Sequence, residues 1–212
     1  MLDGTRAARI IALPRITRES TLNTLGGLRS YWSALQPAPG VVPPRLAVQP
    51  RAIEDMLQAA FLAERTAPGM TRFRVAGRNL VEALGTEPRN LPLTALLTVE
   101  AKVAALDLIE EVFAAPAVLE LDLRAGDARA AMLIMPLTDY LGRVTMALGG
   151  FALDGTAPGA MGQLSLVGRT LTRLPAVSVT QPGCFAIDGI MAAAEAPAPF
   201  RGAPRLVHSG DE

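Results

Sequence analysis

Histidine and cysteine are nearly missing from this chain: among 212 residues there is one of each, His208 and Cys184. A lone cysteine forms no intramolecular disulfide, which fits a reducing compartment. With so few of these ligands, a zinc site of the Cys/His type is excluded. A His-ligated haem or a Ser-His-Asp triad would have to rest on His208, close to the end of the chain, with no folded frame around it. Lysine is almost absent too, since Lys102 stands alone and arginine supplies the other cations. The 20 basic and 20 acidic residues balance. Zero net charge without a basic block argues against phosphate-driven binding of nucleic acid. Aromatic residues make up only 4%, so the core has few large anchors and packs through many small contacts.

Long apolar runs are also lacking. The stretch around Val144–Leu153 is about half the roughly 20 residues that a spanning helix needs. The apolar run Ile10–Pro14 is too short for a secretory signal, and Arg15 and Arg18 follow it. The expectation is a cytoplasmic protein without membrane contact. No G-x-S-x-G, Walker A or G-x-G-x-x-G motif occurs. The sequence therefore predicts a protein that is not an enzyme, with no catalytic residue and no metal, and it leaves any cofactor unknown.

Half of the residues are apolar, enough for one core with an extension. Ser20-Thr21 offers a helix N-cap. Leu22, Leu25, Leu28, Trp32 and Leu35 follow on one helical face, and Pro37 and Pro39 end the helix. Residues 36–50 form a proline-stiffened link, in which Arg45 is read as tying the link to the domain through carbonyl groups. A short helix is expected near Arg51, then a strand over Leu57–Ala63. Pro68-Gly69 signals a turn. Met70–Ala76 alternates with a period of two, which predicts Phe73 and Val75 inward and Arg72 and Arg74 outward. A short helix over Asn79–Leu84 ends on Gly85. Thr98 caps the longest helix, which runs to about Ala114. Its predicted buried stripe is Val99, Val103, Leu106, Ile109 (or Leu108), Val112 and Phe113. Three strands close the block, Ala117–Arg124, Arg129–Leu137 and Arg143–Leu153, and Gly149-Gly150 in the last is read as a bulge or bend. Beyond them lie two apolar islands, Leu164–Leu174 and Cys184–Ala194, of which the first is read as able to pack on the domain.

Four local patterns occur in a fixed order: Leu28-Arg29-Ser30-Tyr31-Trp32, Pro44-Arg45, Pro50-Arg51-Ala52-Ile53, and Phe73-Arg74-Val75-Ala76-Gly77. Together they resemble a bacterial PAS-like family, whose members begin with an L-x-x-Y-W helix and continue with P-x-R, P-x-x-I and f-R-x-x-G steps. The family often carries acidic residues before the P-x-x-I step, where this chain has Ala47-Val48-Gln49. The resemblance implies an α+β fold: a five-stranded antiparallel sheet with helices on one face and a cavity between them. An N-terminal flanking helix and a C-terminal extension would be added to it. The corresponding division is a tail over 1–19, a PAS-like domain over 20–153 that includes the flanking helix 20–36, and a partly disordered Pro/Gly-rich extension over 154–212.

The candidate cavity residues are Phe61, Phe73, Val75, Leu80, Leu84, Leu106, Met132, Ile134 and Met146; the alternative is that they fill an ordinary core. Arg74 and Arg78 are candidates for contact with an anion, against surface ion pairing of Arg78 with Glu82 at i,i+4. Leu25, Leu28, Tyr31 and Trp32 are candidates for a homodimer interface along the N-terminal helix, against packing over the sheet. Two functions follow. One is a PAS-type sensory or regulatory domain in cytoplasmic signalling, acting through a small ligand in its cavity or through protein contacts. The other is an interaction or scaffold protein with a filled core. No effector domain is recognisable in the chain, so output is expected through a protein partner.

Overall fold

Three tight turns fold the middle of the chain into an antiparallel sheet. The computed structural model describes residues 18–156 and 158–175. Strands β1 (Ala60–Ala67) and β2 (Met70–Ala76) join through Pro68-Gly69, with Ala67 opposite Met70. Strands β3 (Ala117–Ala125) and β4 (Ala128–Thr138) join through Gly126-Asp127. Strand β5 (Val144–Asp154) follows the Asp139–Arg143 turn. The expected first strand lies a few residues later than its apolar run suggested, because the backbone still turns at Leu57: Ala60 N–H bonds to the Leu57 carbonyl, 3.2 Å.

The sheet has six strands, in the order β2-β1-β5-β4-β3-β6, with every neighbour antiparallel. The sixth, β6 (Ser165–Arg173), comes from the first apolar island and adds to the free edge of β3. The approach to it is fixed by Leu164, fully buried, whose N–H bonds to the Leu96 carbonyl and whose carbonyl accepts from Thr98 N–H, both at 2.9 Å. The second island, like Cys184 and His208 and the tail 1–17, lies outside the described residues.

Helices α2 (Arg78–Leu84) and α3 (Val99–Ala114) cover one face. Gly85 ends α2 in the left-handed conformation, φ 68°, and Thr98 caps α3 by accepting from Ala101 N–H at 3.3 Å. The expected α3 stripe is rotated. Ala101, Ala105, Ile109, Val112 and Phe113 are buried, whereas Val99 and Val103 are 72% and 69% exposed, and Leu106 is exposed too. Alanines at i and i+4 let the helix axis approach the sheet closely, a gain that outweighs burying the larger valines.

Helix α1 (Arg18–Ala34) covers the opposite face. Leu25, Leu28 and Trp32 are buried against Leu133, Met135, Leu137, Leu148 and Ala152 of β4 and β5. Burial of side chains this size contributes about 1.5–3 kcal/mol each. Pro136 sits inside β4, where it cannot donate a ladder bond. The paired residues of β3 and β4 end at Leu119 and Ile134, and the Pro136 carbonyl beyond that point accepts from the Trp32 indole N–H at 2.8 Å. The proline link is fixed at the same end of β4, where Thr138 N–H bonds to the Pro43 carbonyl at 3.0 Å.

Gly149 and Gly150 do not form the expected bulge, because pairing with both neighbouring strands runs through them without a shift. They clear space instead. A Cβ on Gly149 would strike the Phe61 ring and lie 2.7 Å from the Leu133 carbonyl, and one on Gly150 would lie 2.5 Å from Leu25 and 2.7 Å from Leu28.

Replacing Trp32 with Phe keeps most of the packing and orphans the Pro136 carbonyl, for an expected loss of about 1–3 kcal/mol. Trp32→Ala adds a cavity and should cost about 3–5 kcal/mol. Urea titration of the two variants checks both the order and the size of these losses.

Candidate functional site

Four places in the described residues come into question: the interior between the sheet and α2/α3, the arginines around β2, a groove at the end of β1 and β4, and an open cleft of about 570 Å³ between α3 and β6, lined by Thr98, Glu100, Ala101, Ala104 and 165–169. In the first, Phe61, Phe73, Leu80, Leu84, Met132 and Ile134 belong to one buried cluster. Phe61 and Phe73 meet edge to face, with ring centroids 5.3 Å apart and planes at 82°. The Phe61 ring occupies the space over Gly149. A small, partly open void lies beside this cluster, lined by Thr71, Leu93, Thr94, Leu106, Ile109 and Glu110, with a volume of about 20 Å³. That is room for one water molecule.

Three of the cavity candidates lie elsewhere. Val75 is 60% exposed rather than inward. The register slips between Leu62 and Ala63, whose partners are Val75 and Phe73, so Arg74 is the extra residue of a bulge. One extra residue inverts the alternation, and Ala76 takes the inward position against the core. Met146 packs on the opposite face, with Trp32 and its neighbours. Leu106 touches the small void but is otherwise exposed, following the rotation of α3.

The candidate anion contacts are engaged within the chain. Arg74 Nε donates to Glu64 at 2.5 Å and its Nη1 to the Asn90 side chain at 2.9 Å. Arg78 Nε donates to Glu82 at 2.6 Å, one helical turn on. The interface candidates are likewise occupied by the fold. Leu25, Leu28 and Trp32 are buried beneath α1, and half-buried Tyr31 accepts at its hydroxyl from Gln49 N–H at 2.7 Å.

Glu110, on α3, joins that helix to the β1–β2 hairpin. It forms an ion pair with Arg65, accepting from Arg65 Nε at 3.0 Å, and also accepts from Gly69 N–H at 3.0 Å. The bond from Arg65, against a partial cost of burial, holds the Glu110 carboxyl below the usual glutamate range. The sequence offered no local signal for this, because the partners are far apart along the chain.

The groove, of about 640 Å³, is lined by Arg45, Leu46, 64–68, Asp139, Tyr140, Arg143, Thr145 and Met146. Asp139 organises one wall. Its carboxylate accepts from Leu141 N–H at 2.8 Å, Arg143 N–H at 2.9 Å, Arg143 Nε at 3.0 Å and the Thr145 hydroxyl at 3.2 Å. Burial pushes this carboxyl upward, but the bonds from Arg143, Leu141 and Thr145 prevail and hold it below its ordinary value. On the other wall, Arg45 departs from the sequence reading. It is half-buried, yet among the described residues its guanidinium has no acceptor, so it does not tie the link to the domain through carbonyls.

A protein-family model described as PAS domain matches residues 20–152 of this chain. A search of curated proteins returned no match. Among the described residues, no helix is long and apolar enough to cross a membrane.

The lowered carboxyl of Glu110 links stability to pH. Its contribution is complete above the unfolded glutamate value of about 4.3 and disappears as pH falls through the lower folded value. Glu110→Gln should therefore cost about 1 kcal/mol at neutral pH. The gap between wild type and variant should close on acidification below the unfolded value, as read by urea unfolding across pH.

Proposed function

Because this chain belongs to the PAS domain family, a family of sensory and signalling domains, we propose that it is a regulatory domain working through protein contacts, with no small molecule held in its core. The observation that carries this reading is the packed interior around Phe61 and Phe73. Phe61 takes the space over Gly149, Phe73 packs against it edge to face, and the void beside them has the volume of a single water. A ligand of ordinary size needs about 300–1,000 Å³. Entry would require Phe61 to leave its place, and close-packed interiors resist such a change.

The same reading assigns no catalytic residue. The two described carboxylates held below their ordinary values, Glu110 and Asp139, are committed to arginine and backbone partners. It also assigns α1 to the fold and not to a dimer seam. The face carrying Leu25, Leu28 and Trp32 is turned to the sheet, so a second copy would have to peel the helix away to reach it. Contacts with a partner therefore use the outer surface of the domain.

Freshly purified full-length protein should show the bare chain mass by native mass spectrometry. An organic extract of the same sample should contain no stoichiometric small molecule. A retained molecule at one per chain, whose removal changes the amide spectrum of residues around Phe61 and Phe73, would overturn the reading.

A further inference from the structure

We propose that the groove between Arg45 and the Asp139–Arg143 turn docks an acidic segment of a protein partner, with the Arg45 guanidinium pairing one of its carboxylates. The inference rests on the reading above, that this domain works through protein contacts, and says where one of them is made.

Charge complementarity selects the occupant. The groove is lined by three arginines, Arg45, Arg65 and Arg143, and two carboxylates, Glu64 and Asp139. Arg65 is held by Glu110, Arg143 by Asp139, and Glu64 by Arg74. Arg45 is the lining charge left without a counterion among the described residues. It is also half-buried, and a cation that has lost part of its hydration gains more from a carboxylate than one on an open rim.

Its backbone is already fixed. Pro43 accepts from Thr138 N–H at 3.0 Å, Ala47 N–H bonds to the Pro44 carbonyl at 3.0 Å, Val48 N–H bonds to the Arg45 carbonyl at 3.2 Å, and the Val48 side chain is buried. Little ordering remains to be done when a partner arrives, which favours affinity.

The apolar rim argues for a segment of protein over a free anion. Leu46 is 83% exposed and Tyr140 is 84% exposed, and both line the groove. Tyrosine and arginine are among the side chains enriched at binding hot spots. Tyr140 is carried on a turn that Asp139 holds through backbone and side-chain bonds, so the ring is presented on a rigid support. A small anion pairing with Arg45 would leave the exposed Leu46 and Tyr140 side chains uncovered. An acidic residue flanked by apolar ones would engage Arg45, Leu46 and Tyr140 together.

The test uses the isotope-labelled full chain and two capped synthetic peptides, one alternating glutamate with leucine and phenylalanine, the other with glutamine in place of glutamate. The glutamate peptide should shift the amides of 45–47 and 139–143, and added salt should weaken it. Arg45→Gln and Tyr140→Ala should each weaken binding by roughly tenfold. Arg45→Gln should melt within about 2 °C of wild type, since it breaks no internal bond.

Absence of shifts in the groove at millimolar peptide overturns the proposal. So does equal binding of the glutamine peptide, or unchanged affinity in Arg45→Gln. A melting loss of several degrees in that variant would make Arg45 a structural residue instead. Inorganic phosphate or free glutamate binding as tightly as the peptide would make the groove a small-anion site and remove the protein segment as occupant. A small molecule found in the core would count against the preceding reading alone, because it would not alter the peptide titration.

Discussion

Strands β4 and β5 are apolar on both faces, and a sheet of that kind must be covered twice. In β4, Met132 and Ile134 point toward α2 and α3, whereas Leu133, Met135 and Leu137 point toward α1. The second cover is therefore a condition of the fold. Helix α1 supplies it, and the Trp32 indole fixes its placement by donating to the Pro136 carbonyl. That bond meets a need created by the chain itself, because β4 continues past the residues that β3 pairs and contains a proline where it does so. The adjacent glycines of β5 serve the two covers in turn. Gly149 gives space to Phe61 on the α2/α3 side, and Gly150 gives space to Leu25 and Leu28 on the α1 side.

Closing both faces moves the available chemistry to the periphery. The edge strand β2 is guarded: Phe73 exchanges backbone bonds with Leu91 at 3.0 Å and Asn90 at 2.8 Å, and Asn90 adopts a left-handed φ of 68° to make that approach. Arg72 and Arg74 also reach Asn90. An edge protected in this way resists adventitious strand pairing. The end of the sheet near Arg45 and Tyr140 is treated differently, with fixed backbone beneath exposed apolar and cationic side chains. Rigid support under a charge with no counterion among the described residues is the arrangement that binding favours, since the ordering has been done during folding.

Features whose cause is local could be read from the sequence. Pro68-Gly69, Gly126-Asp127 and the cap on Gly85 each depend on backbone preferences of one or two residues, and together they located the hairpins and α2. The position of Val75 could not be read in the same way, because the bulge at Arg74 depends on how β2 meets β1 and inverts an otherwise clean alternation. The α3 stripe misled for a related reason. Its sequence offers two apolar faces, and only the distance to the sheet favours the face with Ala101 and Ala105. Strand β6 is weakly apolar, with a register slip opposite Asp122 and Leu123, so its membership depends on the free edge of β3. The groove was least legible. Arg45 was visible as part of a proline step, but its lack of a counterion among the described residues is a property of every neighbour at once.

Arg65 relates the groove to the rest of the domain. Its side chain lines the groove, and its guanidinium holds Glu110 on α3. A carboxylate entering there meets two arginines of unequal availability. Arg45 can accept it without losing anything, whereas Arg65 can do so only by giving up a bond that also positions Gly69 through Glu110. Competition for Arg65 would loosen the tie between α3 and the β1–β2 hairpin, and engagement of Arg45 alone would leave it intact. The difference in charge satisfaction between two neighbouring arginines therefore determines whether an arriving acid is merely bound at the surface or also disturbs the clasp between helix and sheet.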